Sequence, residues 1–133
     1  MSEPQRIDYL STDDLMEIAT GVLGEVRIRD AGLIASAAAR PTTTVFGADA
    51  YATFAEKAAA LMHSLARNHA LVDGNKRLAW SAARTFCLLN GRDIRYDVDG
   101  AEKFVVAVAA GELDLPEIAR WLDAHLIEPE PDQ

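Results

Sequence analysis

The chain has 133 residues, 21 acidic against 13 basic side chains, a net charge of −8 with neutral histidines, and 50% hydrophobic residues. That length suits one domain with a sizeable core, and a pI near 4.7 leaves no excess of Lys and Arg for non-specific nucleic-acid binding or an anionic membrane surface. The lone Cys87 excludes an internal disulfide and a cysteine-based zinc site, and neither an apolar signal core nor a run of about 18 apolar residues occurs, so a cytoplasmic protein without membrane contact is expected.

The abundant alanines favour helix. Ser11 or Thr12 can cap a first helix whose apolar face is Leu15, Ile18, Ala19 and Val22. A short helix over about Ala31 to Arg40 ends at Pro41, because proline pushes the residue before it out of the helical region. The run from Thr42 to Gly47 holds three threonines, a valine and an aromatic, which suits an extended segment. From about Asp49 to Arg67 the positions Tyr51, Phe54, Ala55, Ala58, Leu61, Met62 and Leu65 form a 3.6-period stripe. From Leu78 to Leu89 the chain is apolar on nearly all sides, as suits a helix in the middle of a bundle. Asn90-Gly91 gives a stop, Arg92 to Tyr96 reads as extended, and Asp99 can cap a helix running to Ala110. Asp114, Pro116 and Glu117 then mark the start of a last helix through Ile118, Trp121, Leu122 and His125. Residues 1–127 are expected to form a single domain and 128–133, with two prolines and three acids, a disordered acidic tail. No internal repeat or linker divides the chain.

The chemistry concentrates between the amphipathic helix and the apolar one, in Asn68-His69-Ala70-Leu71-Val72-Asp73-Gly74-Asn75-Lys76-Arg77. Lys76 and Arg77 fall in a first helical turn, where the dipole disfavours cations by about 0.3–1 kcal/mol each. An anion should compensate them. A helix N-terminus with free N–H groups, preceded by a glycine that allows close approach, is a phosphate site. Asp73 beside it suits Mg²⁺, which takes few carboxylates plus phosphate oxygens, and His69 can accept a proton from an attacking hydroxyl. Taken singly, each residue has a plainer reading: His69 as a helix-terminal histidine, Asp73-Gly74-Asn75 as a turn and cap, Lys76 and Arg77 as solvated cations. The conjunction is harder to explain that way. Cys87, Met62, His63 and His125 lie on ordinary helical faces and read as structural.

The run His69-x-x-x-Asp73-Gly74-Asn75-Lys76-Arg77 resembles the active-site motif of the Fic/Doc superfamily, H-x-F-x-(D/E)-(G/A)-N-(G/K)-R. The likeness extends through Leu10-Ser11-x-x-Asp14-Leu15, Arg29-Asp30-x-Gly32-Leu33, Ala55-Glu56-Lys57 and Leu89-Asn90-Gly91, over about Leu10 to Leu126. Lys76 in place of a second glycine, a compact chain with no additional domain, and Trp80 in place of a second arginine resemble the death-on-curing (Doc) branch. Two positions depart from the motif: Leu71 stands for the family phenylalanine and Ala70 for a frequent proline, which predicts retained geometry with some looseness.

The resemblance implies an all-α Fic-fold bundle of about six helices with a short extended flap. It also implies a toxin of a toxin–antitoxin module that uses ATP to phosphorylate a threonine of elongation factor Tu and so arrests translation. By the same resemblance His69 matches the general base, Asp73 the Mg²⁺ ligand, and Gly74, Asn75, Lys76 and Arg77 the phosphate-binding loop and helix start, with Lys76 and Arg77 also counted among the catalytic groups. A lysine side chain in place of glycine would obstruct the usual nucleotide pose and bring the γ-phosphate, rather than the α-phosphate, to the base. The segment holding Thr43, Thr44, Val45 and Phe46 matches the target-docking flap, or else is a connector with Val45 and Phe46 buried. The family's internal inhibitory helix, (S/T)-x-x-x-E-(G/N), has no counterpart because no Ser or Thr has a Glu four residues later. A Phd-like antitoxin, its C-terminal segment folding into a groove, is therefore the expected partner. Transfer of AMP to a protein hydroxyl is the second reading, and a catalytically weak Fic-fold protein acting through its antitoxin is the third. A helix-turn-helix DNA binder is disfavoured by the charge.

Overall fold

A computed structural model describes residues 6–128. Ser11 caps α1 (Thr12–Leu23) by accepting from the Asp14 backbone N–H while the Asp14 carboxylate accepts from that of Ser11, a reciprocal capping box. α2 (Ala31–Ala39) starts at Asp30 and passes into a single 3₁₀ turn, Arg40–Thr42, so Pro41 tightens the chain into that turn and Arg40 lies just past the helix. α3 (Phe54–Arg67) is capped by Thr53 and α4 (Asn75–Leu89) begins at Gly74. α5 (Val98–Ala109) starts two residues earlier than the sequence suggests, because Asp97 rather than Asp99 accepts from the first turn. α6 (Leu115–His125) carries the expected Asp114–Glu117 capping box with proline in its first turn. Six helices and only two-residue strand pairs among the described residues make this an all-α bundle with a short flap. None of these helices is long and apolar enough to cross a membrane. Residues 129–133, most of the expected acidic tail, lie outside the described residues.

The centre of the bundle is α3, not α4. α3 packs against α2, α4, α5 and α6, and all but three of its residues are buried. Ala58, Ala59 and Ala60 on α3 and Ala79, Ala82 and Ala83 on α4 are fully buried, and such small side chains let the two helix backbones approach closely. The apolar run on α4 ends with Leu88 and Leu89 about half exposed, so continuous hydrophobicity misjudged which helix is central. Phe86, at the same end of α4 but buried, stacks on Phe54 at 4.9 Å and on Tyr9 at 6.0 Å.

α3 also starts later than the periodic stripe implies. Residues 49–51 belong to a hairpin arm, in which β1 (Thr44–Val45) pairs antiparallel with β2 (Ala48–Asp49) around Phe46-Gly47. Both turn residues have positive φ, 52° and 80°, as a two-residue hairpin turn of the right twist requires. Val45 and Phe46 are exposed, Phe46 completely, which overturns the buried-connector alternative for this segment. Arg92 to Tyr96 is extended only at β3 (Asp93–Ile94), which pairs with β4 (Leu126–Ile127), and the Arg84 guanidinium grips Asp93 at 3.0 and 3.3 Å.

Two cations tie the hairpin to α3. The Lys57 ammonium, 3% exposed, donates to the Asp49 carboxylate at 3.1 Å and to the Tyr51 carbonyl. Arg40 donates through Nε to the Tyr51 hydroxyl at 2.8 Å and through Nη1 to Ser64 Oγ at 3.1 Å and His63 Nδ1 at 2.8 Å. Lys57→Met removes the first tie while keeping the stem's volume, and is expected to cost about 1–3 kcal/mol through the carbonyl left without a donor. Hydrogen exchange should rise at residues 44–51 and stay unchanged in α4; unchanged exchange in the hairpin would mean that Arg40 alone holds it.

Candidate active site

α3 stops at Arg67 because the backbone turns over: Asn68 caps the helix and His69 takes φ 51°, the left-handed position commonly filled by glycine. Histidine tolerates this region better than most side chains do. The next residues are pinned to the α1–α2 connection. The Ala70 carbonyl accepts from the Arg29 and Asp30 N–H groups at 2.8 and 3.0 Å, Ile28 and Leu71 form a bridge, and the Val72 N–H donates to the Arg27 carbonyl at 2.9 Å. Ala70 and Leu71 are both buried, so leucine fills the anchor position in the core. Asn75 completes the loop by donating from Nδ2 to the Leu71 carbonyl at 2.9 Å and accepting the Leu71 N–H on Oδ1 at 3.0 Å. Its side chain is thereby committed to the loop, and its backbone N–H is what it brings to an anion site.

Gly74 opens α4 at φ 88°, and a Cβ there would lie 2.6 Å from Leu23 Cδ1, so both conformation and space demand glycine. No side chain caps the first turn of α4, which leaves its N–H groups available to an anion. The exposed Asp73 carboxylate accepts the Gly74 N–H at 2.9 Å on Oδ1, and Oδ2 has no hydrogen-bond partner among the described residues. Arg77 has a partner: Nη2 donates to the Val22 carbonyl at 2.9 Å and so satisfies the C-terminal end of α1. That accounts for one of the two cations at the dipole's unfavourable end. Lys76 makes no hydrogen bond or ion pair with any described residue, so its charge is uncompensated among them. A cleft of about 240 Å³ at this helix end is lined by Leu23, Glu25, Arg27, Asp73, Gly74 and Arg77. On the far side of Lys76 and Arg77 runs a mostly apolar groove of about 520 Å³, walled by Trp80, Tyr96, Val98 and Val106.

A single carboxylate beside free N–H groups and a lysine is a donor set for Mg²⁺ held mainly through phosphate oxygens, not for a metal caged by protein. Consistent with that, no group of three or more His, Cys, Asp or Glu side chains among the described residues is arranged to hold a metal.

Comparison with known proteins covers the segment that holds this loop and helix start. The model of the Fic/DOC family matches residues 9–87, from the start of the bundle to the last turns of α4. A protein named Toxin Doc, from Mycolicibacterium smegmatis, is 51% identical over 120 residues, covering 86% of this chain and 91% of that protein. The chain belongs to the Fic/DOC family.

Within this Fic/DOC domain His69, Asp73, Gly74, Asn75, Lys76 and Arg77 gather in one loop and helix start, whereas Thr43, Thr44, Val45 and Phe46 stand on the separate hairpin. Arg29 joins the site unannounced: Nε donates to the His69 carbonyl at 2.7 Å. The Arg29-Asp30 pair is visible in the sequence, but no helical or strand period links position 29 to position 69. Glu25 and Arg27, which line the cleft and approach each other at 3.8 Å, have no local signal either. The remaining polar candidates are structural. Burial, followed by the charges of Arg40 and Arg67, lowers the His63 pKa and keeps its ring a neutral acceptor for Arg40. Burial pushes the Cys87 thiol up to about 12, which makes it inert, and His125 stacks on Trp121 at 3.8 Å.

Proposed function

We propose that this Fic/DOC protein is a Doc-type toxin that transfers phosphate from ATP to a threonine of a translation protein, with elongation factor Tu as the target and Mg²⁺ as the metal. The observation that carries the reading is Lys76, a cation without a partner among the described residues in an uncapped helix first turn, beside an exposed histidine held at φ 51°. In this mechanism the α4 N-terminus and Lys76 hold the phosphates, and Asp73 holds the metal, which when bound neutralises charge on the phosphate oxygens. His69 takes the proton of the threonine hydroxyl. The threonine oxygen bonds to the γ-phosphorus, the bond to the bridging oxygen breaks, and ADP leaves. A Phd-like antitoxin is the proposed partner, supported by the apolar groove beside Lys76 as a seat for its C-terminal segment. The buried, doubly hydrogen-bonded Leu71 favours an active enzyme over a purely binding role.

AMP transfer is the second reading, since the same base could take the proton of a hydroxyl whose oxygen bonds to the α-phosphorus, the bond to the bridging oxygen breaking and pyrophosphate leaving. Incubation with γ-labelled and α-labelled ATP in a bacterial lysate decides: label from the γ-position alone supports phosphate transfer, and label from the α-position overturns it. Lys76→Gly tests the cause. It opens room for a reversed nucleotide while Arg77 and the helix N-terminus retain positive potential, so the adduct is expected to change from phosphate to AMP. Total activity should fall, because a charged contact is lost and glycine costs up to about 1 kcal/mol in helix propensity. The same adduct from both proteins, by intact mass, would show that Lys76 does not set the pose.

A further inference from the structure

The segment after α3 must hold a non-glycine residue in the left-handed region, with helix-end carbonyls that have no helical partner. Arg29, forty residues earlier in the chain, supplies the donors. Its Nε donates to the His69 carbonyl at 2.7 Å and its Nη2 to the Asn68 carbonyl at 3.3 Å, while its own N–H donates to Ala70 at 2.8 Å. One residue thus binds three successive carbonyls that bracket His69. The forked guanidinium suits this task, because two donors fixed in one plane constrain two carbonyls together, whereas an ammonium is a single point. Nothing else among the described residues donates to the His69 carbonyl.

We propose that Arg29 is a positioning residue that sets the backbone turn of His69 and thereby aims its imidazole, an inference that rests on the reading of His69 as the proton acceptor. Arg29 acts on the histidine and not on the nucleotide. Its loss should therefore lower the turnover rate, not the affinity for ATP.

The test uses the full chain in a bacterial lysate with ATP labelled at both the α- and γ-phosphates, titrated to give an apparent KM and a maximal rate. Arg29→Ala is expected to lower the maximal rate about 10–100-fold, the range that a misaligned reacting group produces, with KM within about twofold. Arg29→Lys should recover part of that rate. In a His69→Ala background, Arg29→Ala should have no further effect, because the group it positions is gone. The His69 backbone chemical shifts should move away from left-handed values in Arg29→Ala and do so less in Arg29→Lys, a readout independent of transfer; if the alanine variant does not fold, the lysine variant carries both measurements. Unchanged rate and shifts, or a raised KM with the rate retained, overturn the positioning role. Full activity of His69→Ala overturns the base assignment instead, and with it any group for Arg29 to position.

Discussion

His69→Ala is expected to lower transfer by ~10²–10⁴-fold, the contribution of a positioned general base, with thermal stability nearly intact. The side chain is exposed and its ring makes no hydrogen bond with any described residue, so its removal leaves no cavity and no orphaned partner. What alanine changes besides the base is the backbone, since it accepts φ 51° less readily than histidine. His69→Asn separates the two effects, because asparagine suits the left-handed region but is no base near neutral pH. Loss of transfer in both variants, with unchanged unfolding temperatures, assigns the effect to the imidazole. Near-normal transfer by the asparagine variant would give the role to the turn itself.

The starts of α1, α2 and α6 were legible in the sequence. Ser11, Asp30, Asp114 and Glu117 act within three residues of what they cap, so a short window contains the whole cause. The errors arose where the cause is distant. The stripe from Tyr51 onward continues the α3 period, yet Thr53 caps the helix and Tyr51 stays outside it, held by Arg40 from beyond α2 and by Lys57 on α3. Asp97 and Asp99 are equivalent caps by composition, and it is Asp97 whose side chain accepts from the first turn, at Gly100. At the site, the motif gathers His69, Asp73, Gly74, Asn75, Lys76 and Arg77, since all lie within one turn and one helix start. What the motif could not convey is the division of labour among them. Asn75 holds Leu71 and Arg77 holds Val22, whereas the Lys76 ammonium makes no hydrogen bond or ion pair among the described residues. Arg29 was beyond reach because its partners, Asn68 and His69, lie about forty residues along the chain.

Gly74→Ala should both destabilise the protein and disable the site. Alanine at φ 88° costs roughly 1–2 kcal/mol from backbone strain. Its Cβ also meets Leu23 at 2.6 and 2.7 Å, which is closer than real carbon atoms approach, and such overpacking costs about 1–3 kcal/mol where the neighbour cannot move freely. The contacted atoms are the ends of a flexible side chain, so Leu23 can partly yield. It would yield along the wall of the 240 Å³ cleft that it shares with Gly74, which is where a phosphate must come close to the α4 N–H groups. Three variants divide these effects. Gly74→Asn tolerates positive φ but retains the clash, Leu23→Ala removes the clash partner, and Gly74→Ala with Leu23→Ala leaves the backbone strain with little clash. If packing matters, Leu23→Ala should relieve part of the Gly74→Ala loss, with a coupling of about 0.5–3 kcal/mol in chemical denaturation. Additive losses would mean that Leu23 moves aside without cost and that backbone conformation alone demands glycine. Binding of Mg·ATP should then weaken in Gly74→Ala and hardly change in Leu23→Ala, because only the first alters the approach to the helix N-terminus itself.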